Sequence, residues 1–119
     1  MKHRWKVYGL LIAATAQAQI QPAMKAAGAK FRQEMAAGMT RMDRDMAAAP
    51  MNGNEDHDFA TMMMPHHQGA IDMAKAELSF GKDPVMRRLA QEILVDQQSE
   101  IDAMQLWLDK NAGRIHKDK

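Results

Sequence analysis

Near the middle of this 119-residue chain the sequence reads Met62-Met63-Met64-Pro65-His66-His67-Gln68-Gly69-Ala70-Ile71-Asp72-Met73. Thioether sulfur is a weak, uncharged, polarisable ligand that favours Cu(I), and imidazole accepts Cu(I), Cu(II) or Zn(II), so the mixture points to copper ahead of the other first-row metals. The spacing adds to the composition. Met63 precedes His67 by four residues and His66 by three, and Met62 precedes His66 by four, so on a helix each imidazole has a thioether one turn away. Two ligands from one helix rarely complete a site. The next helix offers Met104, Gln97 and Glu100 on or beside its apolar face, where a buried Gln or Glu finds a partner in an imidazole N–H. Met73 stands seven residues beyond His66, roughly 10 Å along a helix axis. That is too far to share one ion with Met62, which leaves Met73 to a second site or to the core.

Other residues carry weaker signals. Met24, Phe31, Met35, Met39, Met42 and Met46 recur at helical spacing, as any buried face does, and only the excess of Met over Leu suggests that Met39 and Met42 also serve as ligands. His57 lies among Glu55, Asp56 and Asp58, either a solvated acidic cluster or a binder of Cu(II) or Zn(II). Pro65 either bends a continuous helix beside the His pair or starts a new one.

The elements that must position these groups all read as helices. The first is expected from Pro22 to about Ala49 and is closed by Pro50. Met51 to Asn54 form a short connection, and Glu55, Asp56 and Asp58 place acid where the macrodipole of a second helix, about Asp56 to Phe80, favours it. On its wheel Phe59, Met63, Ala70, Ala74 and Leu78 define one buried side, flanked by His66 and His67, with Gln68 and Asp72 pointing away. Gly81 stops that helix, and Asp83 with Pro84 starts a third, about Pro84 to Lys110. Its apolar side is expected to hold Met86, Ala90, Ile93, Leu94, Ile101, Met104 and Leu108, with Leu89 and Trp107 flanking. Nothing alternates with period two. The expected fold is therefore all-α, a small bundle of three to four helices with antiparallel neighbours, completed to four by a second chain or by a divided first helix. The tail from Asn111 to Lys119, with His116, is polar and short.

The first eighteen residues read as an export signal. Lys2, His3, Arg4 and Lys6 precede an apolar run from Val7 to Ala16, and Ala16-Gln17-Ala18 offers a small-x-small cleavage site. The run is too short to span a bilayer, so cleavage before Gln19 and no stable membrane insertion are expected, the alternative being an uncleaved, membrane-tethered form. Residues 19–119 then form one domain in the periplasm or outside the cell. Removing Lys2, Arg4 and Lys6 takes the basic count from 16 to 13 against 15 acidic residues, a formal charge of −2 in place of +1. That balance gives no case for nucleic-acid binding. Cysteine is absent and methionine numbers 13, a choice that suits soft-metal handling where thiols would oxidise.

The stretch from about 58 to 108 resembles the domain-of-unknown-function family 305. The residues that carry it are Phe59, Met63-Met64-Pro65-His66-His67-Gln68-Gly69-Ala70-Ile71-Asp72-Met73-Ala74, the Gly81-Lys82-Asp83-Pro84 turn, Leu89-Ala90, Gln97, Glu100-Ile101, Met104 and Trp107-Leu108. This chain has Met64 where an Ile-like residue is more usual. The resemblance implies a ferritin-like helical bundle, commonly exported, in which CopM-type members bind copper in the periplasm, and it implies His66, His67, Met63, Met73 and Met104 as metal positions. The expected function is binding of copper, as Cu(I), Cu(II) or both, to buffer it, sequester it or hand it to a partner protein in copper homeostasis or resistance. The alternative is a metal-free helical interaction module whose Met face packs a partner adaptably, and pairing with a second copy is open in either case. No catalytic nucleophile or phosphate-loop motif occurs, so no enzyme activity is expected. The Glu-x-x-His pairs of a di-iron enzyme are missing. Cys-linked haem has no attachment point, whereas a His/Met-ligated haem keeps its ligands.

Overall fold

The computed structural model describes residues 4–112, with side chains described from Ala18 onward. His3, His116 and most of the polar tail lie outside the described residues. Three helices account for nearly everything between: α1 Arg4–Ala47, α2 Glu55–Phe80 and α3 Pro84–Asn111. Among the described residues there is no strand, and no helix is long and apolar enough to cross a membrane.

The bundle has three helices, because α1 is one unbroken element. It also begins at Arg4 and not at Pro22, which lies inside it. Proline removes only one backbone hydrogen bond there, to the carbonyl of Ala18, and both residues are exposed, so water can take its place. Pro65 likewise lies inside a continuous α2. The export signal assigned to residues 1–18 thus falls mainly on helical backbone whose side chains are not described.

The ends of α2 and α3 follow local chemistry. Asn54 caps α2 by accepting from the His57 amide at 3.0 Å, and Gly53 before it takes a positive φ of 87° that favours glycine. Glu77 O accepts from the Gly81 amide at 2.7 Å and closes α2. The Asp83 side chain accepts from the amides of Val85 and Met86, each at 2.9 Å, and so begins α3 with Pro84 in its first turn.

Register between the helices can be read from pairs. Phe31 meets Phe80 edge-on with ring centroids 6.5 Å apart. Thr61 Oγ1 donates to Pro50 O at 2.8 Å, so α1 and α2 run antiparallel. On the other flank Arg87 donates to Leu78 O at 2.7 Å, and His67 pairs with Glu100, which makes α2 and α3 antiparallel too. Among the described residues α1 and α3 each pack on α2 and not on each other. The result is an open layer, only 15 Å deep in its thinnest direction.

That arrangement corrects the single buried side expected of α2. A central helix with partners on two flanks buries two stripes, and the buried residues are Ala60, Thr61, His67, Gly69, Ile71, Ala74 and Ala76. Phe59 falls between the flanks and is 63% exposed. Asp72, expected to point away, is half-buried against Arg41 of α1 at 3.0 Å. On α3 only Ala90 is buried, and Met86 and Leu89 stay nearly half exposed.

Candidate metal centre

His67 sits on the α3 flank of α2 and is 8% exposed. Its Nδ1 lies 2.8 Å from the carbonyl of Met63, one turn back. A carbonyl only accepts, so Nδ1 carries the hydrogen and the ring is held with Nε2 facing outward from α2. That nitrogen faces Glu100 Oε2 on α3, whose side chain is 58% exposed. Anchoring one ring nitrogen on a backbone carbonyl and presenting the other is how proteins orient a ligating histidine.

The antiparallel register places two methionines at the level of this pair. One turn back on α2 stands opposite one turn onward on α3, so Met63 and Met104 share a level beside His67 and Glu100. Both methionines are half-buried. Gln97, also half-buried, lies one turn before Glu100 on the other side. The register thus puts two thioethers on the same stretch of the α2–α3 seam as the His67–Glu100 pair, near its middle. The set suits copper in either oxidation state, with sulfur for Cu(I) and nitrogen with oxygen for Cu(II).

The other expected ligands are placed elsewhere. His66 is exposed, although expected to turn only partly to solvent. Its ring centroid lies 6.0 Å from that of His67 at a steep angle. Successive residues on a helix point 100° apart, so the two imidazoles diverge. Met62, seven residues before Gly69, stands on the side of α2 toward α1. Met73 lines an apolar groove with Ala70, Met86, Leu89 and Ile93, nearly two turns from His67. Met42 packs on Gly69 in the α1–α2 seam, and Met39 is exposed.

His57 is drawn into the fold as well. It is half-buried in the first turn of α2, and its Nδ1 lies 2.9 Å from Asp58 Oδ1. The same carboxylate accepts from the amides of Asn52 at 2.8 Å and Gly53 at 3.0 Å. The His57 hydrogen bond and then the Asn52 amide hold the Asp58 carboxyl below its ordinary value, against the opposing effect of burial. His57 and Asp58 therefore fasten the α1–α2 connection. A cavity of about 450 Å³ opens beside them, lined by Met51, Thr61, Leu108 and Asp109.

The residues that local reasoning did not single out are Gly38 and Gly69. A Cβ on Gly69 would stand 2.6 Å from Met42 Sδ, and one on Gly38 would stand 3.3 Å from Asp72 Cβ. They let α1 approach α2 and fix the side of α2 left for α3. Gly69 and Ala76, seven residues apart on one α2 stripe, carried the available signal.

Over 56 residues the chain is 39% identical to an uncharacterized protein of Acanthamoeba polyphaga mimivirus, a match covering 47% of this chain and 37% of that protein. The chain thus spans little more than a third of that relative's length. The family model described as "Domain of unknown function (DUF305)" matches residues 6–108, from inside the first turns of α1 to the last turn of α3 and through the whole His67–Glu100 seam, and the chain belongs to that family.

Proposed function

We propose that this protein is an exported copper-binding protein that buffers copper or passes it to a partner, holding the ion between α2 and α3 through His67, Met63 and Met104 with Glu100 beside them. The observation that carries the reading is the orientation of His67, with Nδ1 on the Met63 carbonyl and Nε2 toward Glu100. Neutral thioethers and imidazole let copper exchange by stepwise ligand replacement, which suits buffering and transfer and needs no catalysis. Export is proposed from the basic start, the apolar run and Ala16-Gln17-Ala18. The ferritin-like character implied by the resemblance belongs to the same proposal.

A second reading, a metal-free interaction module, is favoured by the exposed apolar side chains Phe59, Met39 and Leu89. One experiment separates the two. Protein purified from the periplasm is assayed for bound metal and titrated with Cu(I) against a chelator. Copper binding that drops at least tenfold in His67→Ala, with helix content unchanged, supports the first reading. The same affinity in both proteins, or none in either, overturns it.

A further inference from the structure

The joint between α1 and α2 holds a second imidazole anchored through Nδ1, as His67 is. Nδ1 of His57 lies 2.9 Å from Asp58 Oδ1, and that carboxylate is fixed in turn by the amides of Asn52 and Gly53. A carboxylate accepts, so in the neutral ring Nδ1 carries the hydrogen and Nε2 presents a lone pair. Among the described residues no hydrogen bond engages this Nε2, and no buried side-chain nitrogen lacks a partner, so Nε2 is open to water. The ring lines the cavity of about 450 Å³ together with Asp109 of α3. Register brings the two to one level. His67 faces Glu100, and ten residues back on α2 and nine onward on the antiparallel α3 stand His57 and Asp109, roughly 15 Å along the seam. Gln105 Nε2 donates to Asp109 Oδ1 at 2.8 Å, which steadies the carboxylate and leaves Oδ2 for another partner.

We propose that His57 Nε2 and the Asp109 carboxylate hold a divalent cation of the Cu(II) or Zn(II) class in this cavity, separate from the His67 seam. Imidazole beside carboxylate suits these ions, with Cu(II) the tighter of the two. A carboxylate on the far nitrogen of a ligating imidazole fixes its tautomer and raises its basicity, which is the part Asp58 plays. A histidine that only fastened the joint would need its Nδ1 alone. Here the other nitrogen opens beside a cavity with room for an ion and several waters, each taking about 30 Å³. Water is needed, because among the described residues no three imidazole or carboxylate groups converge. Two protein donors make a site that binds weakly and exchanges fast. The inference does not depend on copper at His67.

Heteronuclear NMR on the isotope-labelled full-length protein, titrated with Zn(II) and separately with Cu(II), tests the site. Zn(II) should shift the His57 ring signals and the amides of Thr61 and Asp109, and paramagnetic Cu(II) should broaden the same amides. Asp109→Asn should raise the dissociation constant read there by about tenfold, and His57→Gln should abolish the response. Asp109 is exposed on α3, so its variant should keep the fold even if His57→Gln loosens the joint. Metal in the His67 seam is read at the Met63 and Met104 amides, so a failure there leaves this site standing. No response at Thr61 and Asp109 at millimolar metal overturns the proposal. So does an affinity unchanged in Asp109→Asn or in His57→Gln.

Discussion

Gly69 of α2 lies directly beneath Met42 of α1, with the Sδ 2.6 Å from where a Cβ would stand. The contact decides how near the two helices come, and it commits the Met42 thioether to packing on the side of α2 away from His67. Together with Gly38 against Asp72, and the Arg41–Asp72 pair at 3.0 Å, it seats α1 on one flank and leaves the opposite flank to α3.

Gly69→Ala should therefore force Met42 to shift and cost about 1–3 kcal/mol, the range for overpacking a seam. Urea denaturation followed by circular dichroism measures it. Combining Gly69→Ala with Met42→Ala should recover part of the loss, because the two changes meet at one contact. A loss equal to the sum of the single changes would mean that the contact does not set the helix spacing.

The proposed copper site in the α2–α3 seam predicts a split between oxidation states. Met63→Leu nearly conserves volume and should cost less than about 1.5 kcal/mol of stability. It should weaken Cu(I) at least tenfold while leaving Cu(II), held by His67 and Glu100, within a few-fold. Acidification should release Cu(II) before Cu(I), because protons compete for imidazole and carboxylate and not for thioether. Parallel titrations with Cu(I) and Cu(II) over a pH series read both effects, and equal weakening of the two ions would remove Met63 from the site.

Asp58 gives a prediction about acid. Its carboxyl is held below the ordinary value in the folded chain, chiefly by the His57 hydrogen bond. A group lowered on folding adds stability above its unfolded pKa, about 3.9, and that contribution is lost as pH falls through the folded value. Asp58→Asn should flatten the acid limb of the stability curve. Near neutral pH it should also speed hydrogen exchange at the Asn52 and Gly53 amides, which Asp58 now accepts from. An acid limb identical to that of the unaltered protein would show that Asp58 does not govern it.

The second and third helices and their joints were legible in the sequence by itself, whereas the unbroken α1 running from Arg4 through Pro22 was not. Asn54, Gly81 and Asp83 end or begin helices through hydrogen bonds within a few residues, so their signals are local and the structure keeps them. The pairing of His67 with Glu100 was also within reach, because helical spacing puts Met63 a turn from His67, and short connections make the next helix antiparallel. Tertiary structure alone decided which side of α2 each residue faces. A wheel drawn for one partner placed Phe59 inside and turned Asp72 away, whereas two partners leave Phe59 in water and half-bury Asp72 against Arg41. The same division separates His67, under α3, from His66, one residue and 100° away on the open side. Periodicity reports that a residue shares a stripe with others, but burial depends on which helix covers that stripe, and here Gly38 and Gly69 set that by letting α1 come close.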